Sequence, residues 1–170
     1  QFMNAIRQDS IDVLGEEYVM TELYPDTTVW VRDFTYHMGD PLMEYYYTHP
    51  AFDDYPVVGV DWFAAKYFCN WRTKNKNAAN AEAGLAPTPN FRLPSEAEWE
   101  YAMRAGSTGS RYPWGESAVR DGKISLNYWQ GESHHQNTRE DGHVYVSPVK
   151  AFPPNAWGIH DPVGNVWQWT

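Results

Sequence analysis

The stretch from Asn127 to Gln168 is rich in carboxylates, side-chain amides and turn-forming backbone. Those are the parts of a calcium site, which gathers about six to eight oxygens from bent loops. The plainer reading stands beside it: Asp141-Gly142 and Gly164-Asn165 are ordinary turn pairs.

Other chemistry is thinner. Cys69 is the single cysteine, so neither an intrachain disulfide nor a Cys-based zinc site can form. It falls on an apolar helical stripe, so it reads as a buried structural thiol. His134-His135 could hold a metal, although neighbouring histidines in a polar loop more often face solvent. His37, His49, His143 and His160 show no ligand spacing. No nucleophile elbow, phosphate loop or paired-carboxylate motif is present. The tryptophans at 62, 71, 99, 114, 129, 157, 167 and 169 could form a ligand platform, but core packing is the simpler expectation for most.

The elements that must position these groups are short. Phe2, Ile6, Val13 and Leu14 predict an amphipathic helix that stops at Gly15. "TTVWVRDF" reads as a strand, and "EYYYTHPAFDDYP" as an extended aromatic loop. Val57 to Val60 reads as a short strand. Asp61 caps a helix from Trp62 to about Lys74, with Ala65, Phe68, Cys69 and Arg72 on one face. "NKNAANAEAGLAPTPN" reads as an exposed loop. "FRLPSEAEWEYAMRAG" holds a capping box, Ser95 with Glu98, opening a helix that buries Ala97, Tyr101 and Ala102 with Trp99 and ends at Ala105-Gly106. From Arg111 to Thr170 there is almost no regular pattern.

Composition agrees with a loop-rich α+β chain. Of 170 residues, 42% are hydrophobic and 16% aromatic, with twelve Pro and twelve Gly supplying turns. The length suits one domain with its own core. A formal net charge of −9 argues against a nucleic-acid binder. The chain opens on a stretch already helical in pattern and closes within an aromatic run, so both ends read as cut.

"VDWFAAKYFCNWR", "FRLPSEAEWEYAMRAG", "YPWGE" and "FPPNAWGIHDPVGNVWQW" follow one another in order. Together they resemble the formylglycine-generating enzyme (sulfatase-modifying factor) domain, over about Tyr55 to Thr170. The resemblance implies a loop-rich fold with little regular secondary structure, related to C-type lectins. It divides the chain into an N-terminal helix and aromatic insertion, 1–54, and a core, 55–170. The insertion, "YPDTTVWVRDFTYHMGDPLMEYYYTHPAFDDYPVVGV", resembles gliding-motility and type IX secretion lipoproteins of the GldK/PorK kind, with GldJ as near neighbour. That implies a non-catalytic structural component on the periplasmic face of the bacterial outer membrane, held by a lipid anchor and built into a ring with GldN/PorN-type partners.

The enzymes of the superfamily oxidise a substrate cysteine with a copper-binding cysteine pair, downstream of the segment matching "GNVWQW". Cys69 matches a different position and does not inherit that role. The resemblance also implies two structural calcium sites. One takes the side chains of Asn127 and Asp141 and the carbonyls of Tyr128 and His143. The other takes the side chains of Asp161 and Gln168 and the carbonyls of Gly164 and Val166. Family members often have a carboxylate where Gln168 stands, and some have Asn where Asp161 stands. One carboxylate per site implies modest affinity. Two other functions stay open: a copper-dependent formylglycine-generating oxidase, if two cysteines follow Thr170, and a lectin-like binding module.

Overall fold

The computed structural model describes residues 2–133 and 136–170, with side chains from residue 7 onward. His134 and His135 lie outside the described residues. The chain forms two compact units: Gln1–Asp53, Val57–Leu93 and Trp169 in one, and Asp54–Pro56, Pro94–Gln168 and Thr170 in the other.

The first unit is helical. Helix α1, Phe2–Leu14, ends at Gly15 as the sequence predicts, and Gly15 N closes on Ile11 O at 2.9 Å. Its buried side is not the expected one. Val13 and Leu14 are 68% and 40% exposed, whereas Ser10 is 1% exposed. The side chains of Phe2 and Ile6 fall outside the described part. Helix α2, Glu16–Tyr18, passes into a widened helical turn, Val19–Leu23, that buries Val19.

Two stretches expected to be extended are helical instead. In "TTVWVRDF" the strand is replaced by α3, Val29–Asp33. Asp26 Oδ1 accepts from Thr28 N at 2.9 Å and Thr28 Oγ1 at 2.6 Å, which tightens the entry turn. The stretch "EYYYTHPAFDDYP" begins in the last turn of α4, Pro41–Tyr45, which Asp40 caps, and continues through turns and a 3₁₀ turn, Pro50–Phe52. The cause is non-local. Trp30 is buried against Tyr46, ring centroids 5.2 Å apart, and Tyr46 packs on Phe52 at 5.5 Å. Burying those rings outweighs the β preference of the valines around Trp30. Val57–Val60 is likewise not a strand. Gly59 takes φ 75°, its carbonyl accepts from Asp26 N at 2.8 Å, and Val57 is 50% exposed.

Helix α5, Trp62–Glu82, starts as predicted, with Asp61 Oδ1 accepting from Ala64 N at 2.7 Å. It runs past Lys74 through the first half of the expected loop. Ala78, Ala79 and Ala81 are strong helix formers. Asn80, 6% exposed, ties the helix to the segment that follows through Ala86 O and Thr88 Oγ1. Cys69 is buried on this helix, as expected.

The second unit carries α6, Glu96–Arg104, and one hairpin. The capping box forms: Ser95 Oγ accepts from Glu98 N, and Glu98 Oε2 accepts from Ser95 N at 2.9 Å. Ala97 and Tyr101, expected inside, are exposed, while Trp99, Ala102 and Met103 are half-buried. Strands β1, Val119–Arg120, and β2, Lys123–Ile124, pair antiparallel. Asp121 and Gly122 turn between them at φ 52° and 77°, the left-handed pair that a two-residue hairpin needs. The core here is Leu126, Val146 and Phe152 together with polar Ser125, Asn127, Gln130, Ser147 and Asn155. Tryptophan does not fill it: none of the eight singled out from the sequence is fully buried, and Trp129, Trp157, Trp167 and Trp169 are exposed. Among the described residues no helix is long and apolar enough to cross a membrane.

Candidate metal centre

Three loops of the second unit carry the eight candidate oxygens: 125–131, 136–147 and 159–168. With so little ladder, side chains fix the loops. The Asp141 carboxylate bridges two of them, Oδ2 accepting from Tyr128 N at 3.1 Å and Oδ1 from His143 N at 2.9 Å. Gln130 Oε1 accepts from Asp141 N at 3.0 Å. Tyr128, Asp141 and His143 are therefore brought together. Asn127, 5% exposed, turns its Nδ2 to Tyr145 O at 2.8 Å and Asn165 Oδ1 at 3.0 Å.

The second set divides. Gly164, Val166 and Gln168 line a cavity of about 450 Å³, with Trp99, Asn127 and Tyr128 on its other walls. Gln168 Oε1 accepts from the Trp99 indole at 3.2 Å. Asp161 does not line that cavity. It sits at φ 50°, and its Oδ2 accepts from Lys150 N at 2.8 Å. Gly164 is required twice over: its φ is 81°, and a Cβ there would collide with the Asn127 carbonyl.

Two features suit a hard cation. Asp161 Oδ1 is buried with no hydrogen-bond partner, a costly state for a carboxylate oxygen unless something positive meets it. Among the described residues, no hydrogen bond reaches the carbonyls of Tyr128, His143, Gly164 or Val166, or Asn127 Oδ1. Neutral and anionic oxygens with lone pairs to spare are the donor set that calcium takes. Asp141 keeps lone pairs beyond its two amide bonds. Among the described residues no three His, Cys, Asp or Glu side chains gather as a metal set. A cation here would lean on carbonyls and amides.

Sequence reasoning passed over the residues that hold these loops. Asn165, read as half of a turn, bonds Asn127 and both backbone groups of Ser147. Asn155 was not singled out, yet its Nδ2 donates to Ala102 O and Met103 O while its Oδ1 accepts from Trp157 N and Ile159 N. The one signal was density: asparagines placed in a segment with no periodic pattern.

Comparison with known proteins follows the same residues. Residues 14–170 match the family described as sulfatase-modifying factor enzyme 1-like domain. A formylglycine-generating enzyme of Streptomyces coelicolor is 41% identical over 116 residues, covering 68% of this chain and 32% of that protein. An inactive C-alpha-formylglycine-generating enzyme 2 of Bos taurus is 42% identical over 118 residues, 69% of this chain and 33% of that protein. A serine/threonine-protein kinase pkn1 of Chlamydia caviae is 32% identical over 120 residues, 71% of this chain and 14% of that protein. The chain thus spans about a third of the length of the first two relatives.

Proposed function

The chain belongs to the sulfatase-modifying factor enzyme 1-like domain family, and from that premise we propose that its role is structural. It is a non-catalytic component of a bacterial type IX secretion and gliding-motility machine of the GldK/PorK kind. It works at the periplasmic face of the outer membrane, lipid-anchored, in a ring with a GldN/PorN-type partner. The observation that carries the reading is the insertion, which resembles those lipoproteins and leaves Tyr36 and Met38 exposed. Cys69 is 8% exposed on α5, and burial pushes its pKa up, with the Arg72 guanidinium offsetting part of the rise. A thiol so placed packs and does not attack.

The machine reading is supported by the insertion. It carries the resemblance to those lipoproteins, and it folds around Trp30, Tyr46 and Phe52 while leaving Tyr36 and Met38 at 95% and 98% exposure. Exposed Tyr and Met suit a protein interface. Deleting residues 34–40 from the full-length protein is expected to abolish ring assembly while far-ultraviolet circular dichroism stays unchanged. A ring that still assembles overturns the reading.

In this role calcium is structural. On the family resemblance it is held at one site by Asn127, Tyr128, Asp141 and His143, and at the other by Gly164, Val166 and Gln168 with Asp161, which stands outside the cavity those three line. The buried, unpartnered Asp161 Oδ1 supports it. Chelation is expected to lower the melting temperature by several degrees and added calcium to restore it. Indifference to both ends the calcium reading.

A second reading is a copper-dependent formylglycine-generating oxidase, favoured by 41% identity to a protein of that name. It requires a cysteine pair elsewhere in the full chain, with copper supplying the oxidation chemistry. Copper-dependent oxygen uptake by the full-length protein with a Cys-containing peptide establishes it, and its absence removes it. The proposal also takes the fold to be related to C-type lectins. On that relation the cavity walled by Trp99, Tyr128 and Trp167 suits a lectin-like binding module, for which a glycan screen is the test.

A further inference from the structure

The two calcium loops meet at one pair of asparagines. Asn165 N donates to the Asn127 carbonyl at 2.9 Å, and Asn127 Nδ2 donates to Asn165 Oδ1 at 3.0 Å. The pair is anchored on both sides. Asn127 Nδ2 also reaches Tyr145 O at 2.8 Å. Asn165 accepts from Ser147 N at 2.9 Å and donates to Ser147 O at 3.1 Å, and Ser147 is fully buried. Gly164 presses on the Asn127 carbonyl so closely that no side chain fits between them.

This geometry joins the two ligand sets. Asn127 belongs to the first set. Asn165 stands between Gly164 and Val166, whose carbonyls belong to the second. Asn127 cannot move without displacing Asn165, and Asn165 cannot move without displacing both of those carbonyls.

We propose, resting on the calcium reading above, that the two sites are thermodynamically coupled through the Asn127–Asn165 pair, so that filling either raises the affinity of the other. The first cation orders the shared pair. The second then binds loops already ordered and loses less conformational entropy. Coupling is reciprocal, so the order of filling does not matter.

The test is calcium titration calorimetry on the full-length protein and its variants. Asp161→Gly, which deletes both carboxylate oxygens while tolerating the φ of 50° there, removes one calcium and is expected to weaken the one that remains by about fivefold or more, the lower end of ordinary site–site coupling. Asn165→Gly deletes the bridging side chain while tolerating the left-handed φ of 61° at that position. In that background, Asp161→Gly is expected to change the remaining site by less than about twofold. Should Asn165→Gly unfold, Asn165→Asp carries the same comparison. It keeps the acceptor for Asn127, loses the donor to Ser147, and is expected to at least halve the fold-change. A remaining site indifferent to Asp161→Gly overturns the coupling, as does undiminished coupling in the Asn165 variants. Two calcium ions bound independently remove the coupling alone, whereas no calcium uptake by the wild type removes the calcium reading with it.

Discussion

In the helical unit, α5 satisfies the backbone of 21 consecutive residues almost entirely within itself. Among the described residues of the loop unit the longest helix has nine residues, and the hairpin has two residues per strand. Buried polar groups must be paired in both. The first unit meets that demand with local ladders and then buries rings: Trp30, Tyr46 and Phe52. The second meets it with amide side chains that reach across the chain, Asn127 over 18 and 38 residues and Asn155 over 52 and 53. Apolar volume holds one together, and a few polar hubs hold the other. The same device appears in the helical unit near the end of α5, where Asn77 and Asn80 bond Thr88 and Ala86.

That contrast can be broken by substitution. Trp30→Ala should be the most damaging change, removing a buried ring and leaving a cavity, about 3–5 kcal/mol. Denaturant unfolding followed by exchange of the helical unit's amides reads it, and a loss under 1 kcal/mol (roughly the cost of a surface change) would refute the ring-based account. Asn155→Ala strips two carbonyls and two amides of their partner at once, and about 2–4 kcal/mol is expected from leaving such groups unmet. If Asn155→Ala instead unfolds at the wild-type denaturant midpoint, water is replacing the hub and the contrast collapses.

Ser95→Ala removes one arm of the capping box and should cost about 1 kcal/mol. Its thermal midpoint should fall accordingly, and rescue by Ser95→Thr separates capping from packing. The smallest effect is one of pH. The Thr28 hydroxyl and amide, with Arg32 beside them, hold Asp26 below its ordinary pKa. A depressed carboxyl contributes stability that is complete above its unfolded value of about 3.9 and is lost as the pH falls through the lower folded value. Asp26→Asn should flatten that acid limb in the helical unit, and an unchanged limb would assign it to other carboxylates.

Local signals in the sequence were legible. Ser95 and Glu98 lie three residues apart and cap α6 as read, and Asp61 caps α5 as read. Gly15 ends α1. What failed was set by distant partners. Val29 and Val31 look like strand residues until Trp30 meets Tyr46, sixteen positions on. The first half of the loop predicted after Lys74 is helix, held near its end by Asn80, and only the second half is loop. At the candidate metal centre the ligand-bearing loops were named through the resemblance to the formylglycine-generating enzyme domain, because turn pairs and oxygen-rich residues by themselves read equally well as ordinary turns. Asn165 as their organiser could not, because its partners Asn127 and Ser147 are 38 and 18 residues away.

A fold that rests on amides also ages by their chemistry. Asparagine slowly loses ammonia to become aspartate, and it is among the thermolabile residues. At Asn155 that change would set a carboxylate against the two α6 carbonyls it now caps. The residues that follow Asn127, Asn155 and Asn165 are Tyr128, Ala156 and Val166. None is the glycine whose small size lets the backbone fold back on the side chain. Spontaneous damage is thereby steered toward the two Asp-Gly pairs, first exposed Asp121-Gly122 at the hairpin tip and then Asp141-Gly142, whose half-buried carboxylate is held by two backbone amides. Peptide mapping of stored protein should find isoaspartate there long before any hub is touched.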